Sequence, residues 1–512
     1  MKINQLKSGV ILSYVSLFLS NIISLFYTPL MISLLGASEH GLYNLVSSVI
    51  SALGLFNFGF SSAYVRFFSR CKKNGDNEEL ARVNGTYIII YTVLGCVAVL
   101  ASIIMWLNID TVFGAKLSDA ELETAKKLFA IMTVNCFRGF ISTIFAAFIS
   151  ANERFFFQKT FGLINSCLSP LIMICVLKLG FRSVHMALAG TVFSILCDLV
   201  TAGYCFKSLK MRFNFRNLSF SLIKEMWGFT IFIFLSMVAD QLNWSVDKYV
   251  IGRVMGTACV SVYSVGATIN RLYMAFSSGV SSVFTPKIYS LAMNNDTDGQ
   301  NKLFFMVGRI QFFILMLIFL GFVFFGEYFI VNIWIRQPDY ISSYFVAILL
   351  MAPLTIPLIQ NLGIELLRAK NLHRFRSYVY LGIALVNVAL TFPLCKQFGI
   401  IGSAAATSIT VIIGNGLIMN VYYKRYGGLD IGGFWKQILK ILPALIVPTV
   451  TGILINRFAP IAGRITFLLF VIVYTVVYFV SLWLFAFNRD EKEFFIKPFA
   501  KIAARRKAGT AK

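Results

Sequence analysis

Four ionisable residues lie near the centres of long apolar stretches, where charged side chains are rare. They are Arg138, Asp198, Asp240 and Arg271. At the centre of a membrane helix each costs about 2.5–3.5 kcal/mol, so unpaired they would together cost on the order of 10 kcal/mol. One solution is two ion pairs, Arg138 with Asp198 and Asp240 with Arg271. The other is a wet cavity, in which the cations bind an anionic group and the carboxylates carry a proton or Na⁺.

The stretch that holds Asp240 favours the cavity. Its polar residues recur at positions i, i+3, i+4 and i+7, so they share one helix face. These residues are Asp240, Asn243, Trp244 and Asp247. Because lipid would reject such a face, we expect it to point into protein or water. Asn270, beside Arg271 in the next stretch, extends the predicted polar lining.

The first apolar stretch carries a milder polar stripe. Ser20 and Ser24 lie one helical turn apart, and Ser13, Ser16 and Tyr27 continue the same face. The stripe has two interpretations, because serines also occur where membrane helices pack closely. In the first it only admits a neighbouring helix; in the second Ser20 and Ser24 line the cavity.

Arg66 lies near the end of the second apolar stretch. A long cationic side chain at such a position can extend to the membrane surface without binding anything. The alternative is a role at the mouth of the cavity, since a planar guanidinium suits a phosphate group.

Fourteen continuous apolar stretches must position these residues. The chain has 512 residues, of which 58% are hydrophobic and only 13% charged, whereas soluble domains average about 25% charged residues. A helix needs about 20 apolar residues to cross the bilayer core. The predicted spans are 8–34, 41–68, 85–107, 124–150, 160–179, 185–206, 226–250, 257–284, 303–334, 342–367, 376–396, 400–422, 438–456 and 462–487. The sequence therefore predicts an all-α integral membrane protein with about fourteen transmembrane helices.

The net charge of +24 is explained by membrane topology rather than by nucleic-acid binding. If the N-terminus is cytoplasmic, most of the 46 Lys and Arg residues fall in cytoplasmic loops, as the positive-inside rule requires. An even number of spans then returns the basic C-terminal tail to the cytoplasm. We therefore predict a multi-pass protein with both termini in the cytoplasm and no nucleic-acid partner.

Two segments of the first half of the chain recur in the second half. Leu35–Leu45 resembles Met255–Val265, and Lys178–Gly180 resembles Lys396–Gly399. Each half would hold six spans, so both halves share one orientation in the membrane. The predicted domains are an N-lobe at 1–210, a cytoplasmic linker at 211–225, a C-lobe at 226–425, two further spans at 426–487 and a basic tail at 488–512.

Signals of catalysis are missing from the sequence. It contains no GxxxxGK[ST] phosphate loop, no GxSxG nucleophile turn and no HExxH zinc motif. The longest predicted outside loop, 108–122, is short and has no His. The nine cysteines include no CxxC pair, which indicates neither a disulfide framework nor a zinc site. The sequence predicts a transporter and not an enzyme, without catalytic residues, metal or cofactor apart from a coupling H⁺ or Na⁺.

Three segments carry a pattern that is typical of one superfamily. They read TPLMISLLGASEHGLYNLVSSVISALGLFNFGFSSAYVRFFS, VDKYVIGRVMGTACVSVYSVGATI and FGIIGSAAATSIT. The pattern resembles the bacterial Wzx-type polysaccharide flippases of the MOP superfamily, which also contains the lipid II flippases and the MATE multidrug exporters. The resemblance implies a MOP-like pair of six-helix lobes plus two extra C-terminal helices. In the family the glycines and tyrosines of these segments are structural, so Gly36, Tyr43, Gly256 and Tyr263 are fold markers.

The resemblance implies a flippase that moves an undecaprenyl-diphosphate-linked oligosaccharide from the inner to the outer leaflet by alternating access. Each sugar hydroxyl would otherwise cost several kcal/mol in hydrocarbon, so a polar cavity is needed. On this hypothesis cavity cations bind the diphosphate and carboxylates carry the coupling ion. The cations are Arg138, Arg271 and Arg66, and the carboxylates are Asp240, Asp247 and Asp198.

Two other functions use the same architecture, a lipid II flippase and a MATE-like cation or drug antiporter. The antiporter needs an acidic, aromatic cavity. In this chain the two arginines and two aspartates near the span centres have no net charge. The predicted location is the bacterial cytoplasmic (inner) membrane. The predicted partners are a polyprenyl-diphosphate-linked glycan and membrane lipids, with polysaccharide polymerase and export proteins as further candidates.

Overall fold

The computed structural model describes residues 5–57, 60–113, 116–216, 220–488 and 491–492 of the chain. Regular structure within these residues is helical throughout and includes no strand, which confirms the all-α prediction. The α-helices are α1 (Gln5–Leu35), α2 (Ala37–Leu53), α3 (Phe60–Asn74), α4 (Asn77–Leu107), α5 (Ile109–Phe113), α6 (Asp119–Ala151), α7 (Phe155–Lys178), α8 (Ser183–Lys207), α9 (Phe220–Met255), α10 (Thr257–Met293), α11 (Thr297–Tyr328), α12 (Ile341–Ile359), α13 (Asn361–Ala369), α14 (His373–Val411), α15 (Met419–Tyr422), α16 (Ile431–Leu439), α17 (Ile446–Phe458) and α18 (Arg464–Phe485). Short 3₁₀ or π-helical segments are Gly54–Asn57, Phe329–Trp334, Pro338–Tyr340, Ile412–Ile418, Tyr423–Gly427 and Leu442–Leu445.

Ten of the described helical stretches are long and apolar enough to cross a membrane. The predicted second span corresponds to α2 and α3, which the 3₁₀ turn Gly54–Asn57 separates. The predicted eleventh and twelfth spans both lie in α14, where Gly399 breaks the helical backbone with φ 64°. A multi-pass membrane protein is therefore confirmed. The count of fourteen spans is compatible with these elements and stays a prediction.

Capping side chains set the starts of several long helices. Ser118 and Glu121 form a capping box at the start of α6. Asp76 accepts the backbone N–H of Glu79 at 2.8 Å before α4. Each such cap contributes about 1 kcal/mol by satisfying donors that the first helical turn leaves free. The caps define where each helix leaves its loop and so which side chains share a face.

The chain divides into two compact units. The first unit comprises Met1–Ala275, Trp334–Leu354 and Asn371–Met419. Its core is rich in aromatic residues. The ring of Tyr64 meets that of Tyr87 edge to face at 4.8 Å, which packs α3 against α4. This grouping differs from the two predicted lobes, and the lobe division stays a prediction.

The second unit comprises Phe276–Ile333, Thr355–Lys370 and Asn420–Lys512. Phe325, Phe467 and Tyr474 form a small buried cluster that packs α18 against α11. A buried ion pair lies nearer the chain end, where Arg309 donates to both carboxylate oxygens of Glu491 at 2.6 and 2.9 Å. These contacts attach α18 firmly within the unit.

Gly36 and Gly256 occupy matching places in the predicted repeat, and both have a positive φ, 82° and 94°. Each is the single residue between two long helices, α1 and α2 or α9 and α10. An L-residue in this region costs about 1–2 kcal/mol, which glycine avoids. The two glycines therefore act as the structural markers that the sequence suggested.

Pro29 lies inside α1 and has no N–H to donate to the carbonyl of Leu25 four residues earlier. Trp334 satisfies that carbonyl from outside the helix, because its indole Nε1 donates to Leu25 O at 2.6 Å. Trp334, which follows α11 in the chain, thus replaces the hydrogen bond that Pro29 cannot donate.

Candidate functional site

Four helices of the first unit enclose a cavity of about 350 Å³. Each of α1, α2, α9 and α10 contributes four residues to its lining. These are Ser24, Tyr27, Thr28 and Met31; His40, Tyr43, Asn44 and Ser51; Gln241, Trp244, Ser245 and Lys248; and Ser264, Ala267, Thr268 and Arg271. We call it the cationic cavity. Its walls combine hydroxyl and amide groups with aromatic rings, which suits a ligand rich in hydroxyls.

Two cations set the electrostatics of the cationic cavity. Lys248 and Arg271 line it, and the described residues of its lining include no carboxylate. Arg271 is held in place because its Nη2 donates to Thr268 Oγ1 at 3.0 Å. Two positive charges with no carboxylate in the same lining attract anions and repel cations.

The polar face of α9 is displaced by one residue from the predicted face. Trp244 lines the cavity as predicted, but its companions are Gln241, Ser245 and Lys248. Asp240 is exposed, and Asn243 is half-buried outside the lining. One residue corresponds to a rotation of about 100° on a helix. Lys248 was missed because it lies at the predicted end of its span, although it shares the i, i+3, i+4, i+7 pattern with Gln241.

The serines of the α1 stripe lie in different environments in the structure. Ser24 lines the cationic cavity together with Tyr27. Ser20 lies one turn away, is exposed and is not part of the lining. The Arg66 side chain lies outside the described part of the structure, so its role at a cavity mouth stays a prediction.

Arg138 and Asp198 form the ion pair that was one of the two predicted arrangements. Ser142 donates to the other carboxylate oxygen of Asp198 at 2.6 Å. The Nε of Arg138 donates to Asn135 Oδ1 at 2.9 Å. The pair joins α6 to α8 and lies outside the lining of the cationic cavity. Substrate binding by Arg138 and ion coupling by Asp198 stay predictions.

A second cavity of about 380 Å³ adjoins the first. It shares Tyr43 and Ser51 with the cationic cavity, and Asn57 and Asn135 also line it. Because Asn135 accepts the hydrogen bond from Arg138, the Arg138 ion pair lies directly behind this polar wall. The two adjoining cavities thus share a wall on α2. The cationic cavity lies between α2 and helices α9 and α10, and the second cavity lies between α2 and α6.

The second predicted pair, Asp240 with Arg271, is not formed, since no described carboxylate lies within 4.0 Å of the Arg271 guanidinium. Asn270 beside it is fully buried, does not line the cavity, and has no hydrogen-bond partner among the described residues for its amide group. Arg271 lines the cationic cavity, whereas Asn270 faces the protein interior; their assigned roles stay predictions.

Asp247 is 2% exposed and forms the centre of a buried cluster of oxygen atoms. Three hydroxyl groups donate to its carboxylate: Tyr263 at 2.5 Å, Thr407 at 2.9 Å and Thr391 at 3.2 Å. The side-chain amide oxygen Oδ1 of Asn387 lies 3.3 Å from both threonine hydroxyls. Helices α9, α10 and α14 supply these groups. We call this arrangement the Asp247 cluster.

The Asp247 cluster has the chemistry of a site for one monovalent cation or a proton. A buried carboxylate that forms no salt bridge is costly unless it is neutralised. No described Lys or Arg lies within salt-bridge distance of Asp247, and the adjacent Lys248 acts on it only from a greater distance. Carboxylate, carbonyl and hydroxyl oxygens are hard ligands, which favour ions such as Na⁺ over transition metals. No group of three His, Cys, Asp or Glu side chains suited to a metal is found in the residues that the structure describes.

One end of the cationic cavity is closed by the starts of α2 and α10. His40, which lines the cavity, hydrogen-bonds to Ser261 at 2.6 Å, and the hydroxyl oxygens of Ser38 and Thr257 lie 2.9 Å apart. A Cβ on Gly41 would lie 1.8 Å from the carbonyl oxygen of Thr257, so only glycine allows this approach.

A carboxylate from α6 adds to the same closure. Glu121 accepts hydrogen bonds from Ser38 and, at 2.5 Å, from Thr257. One side chain therefore links the start of α6 to the starts of both α2 and α10. The closure joins segments that are far apart in the chain and match each other in the predicted repeat.

Comparison with known proteins gives a family and a fold. The family model described as "Polysaccharide biosynthesis protein" matches residues 6–291. A Shigella flexneri protein described as "Putative O-antigen transporter" is 20% identical over 401 residues, covering 76% of this chain and 91% of that protein. The "Uncharacterized membrane protein EpsK" of Bacillus subtilis (strain 168) is 23% identical over 440 residues, covering 84% and 85% of the two chains.

Solved structures share the architecture. The lipid II flippase MurJ in an inward closed conformation superimposes with a TM-score of 0.75 at 20% identity, covering 96% of this chain and all of that one. An inward-facing multidrug resistance MATE family transporter of the MOP superfamily gives 0.65 at 15% identity, covering 81% and 96%. The chain therefore has the fold that these two transporters share.

Proposed function

Because this chain belongs to the polysaccharide biosynthesis protein family, we propose that it is a flippase for an undecaprenyl-diphosphate-linked oligosaccharide. It would carry this lipid from the inner to the outer leaflet of the cytoplasmic membrane by alternating access. Its relatives are transporters and not enzymes, and its fold is that of a lipid II flippase. The observation that carries the proposal is the charge of the cationic cavity.

Lys248 and Arg271 are the groups that we assign to the diphosphate. A diphosphate is the anionic part of the proposed substrate, and a guanidinium beside an ammonium provides both directional and point-charge interactions. The sugar hydroxyls need partners, because each costs several kcal/mol in hydrocarbon. Trp244, Tyr27 and Tyr43 offer rings and hydroxyls for them. A drug antiporter that carries cations would face repulsion from the same two charges.

We assign coupling to the Asp247 cluster. Binding and release of H⁺ or Na⁺ at Asp247 would neutralise or expose a buried charge next to Lys248 on α9. A membrane potential of about 150 mV supplies roughly 3.5 kcal/mol for each charge that crosses, which is enough to bias the cycle. Asp240 and Asp198 remain the other predicted carriers.

The test is complementation in a deletion strain with tracking of the lipid-linked precursor. Arg271→Ala should insert normally but leave the precursor on the cytoplasmic leaflet and abolish the surface polysaccharide. Arg425→Ala, which removes an exposed arginine of the second unit, should behave like the wild type. Full export by Arg271→Ala would overturn the proposal, and accumulation of lipid II would make lipid II the substrate.

A further inference from the structure

The segment that follows α8 is docked against α4 rather than extended into solvent. The backbone N–H of Asn214 donates to the carbonyl of Ala81 at 2.9 Å. The docking is close, because a Cβ on Gly85 would lie only 2.3 Å from the carbonyl oxygen of Asn214. Glycine at this position allows the two backbones to approach.

Asn84 adds a buried side-chain link. Its Nδ2 donates to the carbonyl of Arg212 at 2.9 Å, while its Oδ1 accepts from Tyr64 Oη at 2.6 Å. Asn84 is 1% exposed, so both ends of its amide are used within the protein. The docked segment is therefore held in one geometry, and so is the backbone that carries Lys210 and Arg212.

A cavity of about 400 Å³ lies between the docked segment and the ends of α3, α4 and α6. We call it the linker cavity. Lys72, Lys210 and Arg212 supply its cations, and Asp76 its carboxylate. Phe68 and Phe148 are buried beneath it, with their rings in edge contact at 5.6 Å, and the half-buried Leu80 and Leu209 form its apolar wall. The cavity is separate from the cationic cavity and shares no residue with it.

The linker cavity is positively charged, and its cations are accessible. Lys72, Lys210 and Arg212 are all exposed, and none forms a salt bridge within the described residues. Asp76 is already engaged, because it caps α4 through the N–H of Glu79. Three cations against one carboxylate leave an excess of positive charge beside apolar walls.

We propose that the linker cavity binds the phosphate group of an anionic membrane lipid, with the lipid's apolar part against Leu80 and Leu209. The cavity lies at the ends of α4 and α6, two of the helices that are apolar enough to cross a membrane, and phosphate groups of a bilayer lie at the ends of such helices. Basic residues at such a boundary attract anionic lipids. A bound phosphate would stabilise the docked state of the segment after α8. This proposal is independent of the substrate assigned to the cationic cavity.

Native mass spectrometry of the purified full-length protein tests the proposal. The wild type should retain phosphatidylglycerol in preference to phosphatidylcholine. The variant Lys72→Gln/Lys210→Gln/Arg212→Gln should lose affinity for phosphatidylglycerol by on the order of tenfold or more. The control Lys73→Gln/Lys207→Gln/Arg216→Gln removes the same charge from exposed residues outside the lining and should retain the lipid. Equal loss in both variants, or no loss in either, would overturn the proposal.

Inorganic phosphate separates the two sources of the phosphate group. Excess phosphate should leave phosphatidylglycerol bound if the apolar wall contributes, and its displacement of the lipid would overturn the lipid as the ligand. If the triple variant does not purify, Lys72→Gln is compared with Lys73→Gln by the same measurement. Lys72 lies on α3 outside the docked segment, so its substitution leaves the docking contacts in place. Equal lipid retention by these two single variants would also overturn the proposal.

Discussion

Two adjacent residues of α9 face two different sites. Lys248 lines the cationic cavity, whereas Asp247 beside it is turned into the buried cluster with Tyr263 and Thr407. Adjacent helix residues point about 100° apart, so one helix can serve both sites. A small rotation of α9 would change both environments together. The ion site proposed at Asp247 and the anion site proposed at Lys248 would therefore be adjacent on one helix.

We predict that Asp247→Asn uncouples transport from its ion. The amide keeps the size and part of the hydrogen bonding of the carboxylate but cannot neutralise a cation or take up a proton. Ion-driven transport should fall by about 5- to 150-fold, the range of typical coupling energies. Transport in vesicles under a Na⁺ gradient or a pH gradient measures it. Asp339→Asn, at an exposed aspartate, is the control. Unchanged ion dependence in Asp247→Asn would exclude the cluster from coupling.

At the scale of elements, the starts of α2 and α10 decide which end of the cationic cavity is closed. Both helices begin directly after a glycine with positive φ, and they meet through small residues and hydroxyl groups. Hydroxyl contacts of this kind average about 0.6 kcal/mol each in membrane proteins. A closure made of several such bonds is strong enough to hold and weak enough to open in a transport cycle. Glu121 is the one charged group that we identify in it.

We predict that Gly41→Ala opens or destabilises this closure. The new Cβ would lie 1.8 Å from the carbonyl oxygen of Thr257, so α2 and α10 must move apart. Overpacking of this kind costs about 1–3 kcal/mol. The melting temperature of the purified protein should fall relative to Gly203→Ala, since nothing lies within 4 Å of a Cβ at that helical glycine. Equal melting temperatures for the two variants would show that the approach is not tight.

At the scale of the whole molecule, the sequence combines long apolar stretches with predicted loops and span ends that carry most of the Lys and Arg residues. The net charge of +24 falls mostly in the predicted cytoplasmic segments, which is the distribution that orients multi-pass proteins. The predicted cytoplasmic ends include the linker cavity, and the predicted outer ends include the α2–α10 closure. If this orientation holds, the cationic cavity is closed towards the outside.

We predict that reporter fusions will place both termini in the cytoplasm. Green fluorescent protein should fluoresce at the C-terminus, and alkaline phosphatase should be active when fused after residue 113 but inactive after residue 210. The physical reason is the excess of Lys and Arg in alternate loops. The opposite pattern of phosphatase activity would reverse the assignment of both ends of the cavity.

Much of the fold was predictable from local sequence, because each membrane helix satisfies its own backbone and must be apolar to stay in lipid. The long apolar runs predicted the helices, and Gly36 and Gly256, which the resemblance marked as structural, lie at the breaks between two pairs of them. The Wzx-type resemblance is confirmed by the family match over residues 6–291. These features depend on residues close together in the chain.

The composition of the site was predictable only in part. The sequence by itself singled out Arg271, Trp244 and Ser24, because polar residues in apolar stretches are visible without a structure, and the structure places all three in one cavity lining. Only the tertiary structure decided that Lys248 lines the same cavity. It also paired Arg138 with Asp198 and gathered hydroxyl groups from α10 and α14 around Asp247. Helical periodicity tells which residues share a face, but the direction of that face depends on how distant helices pack against one another.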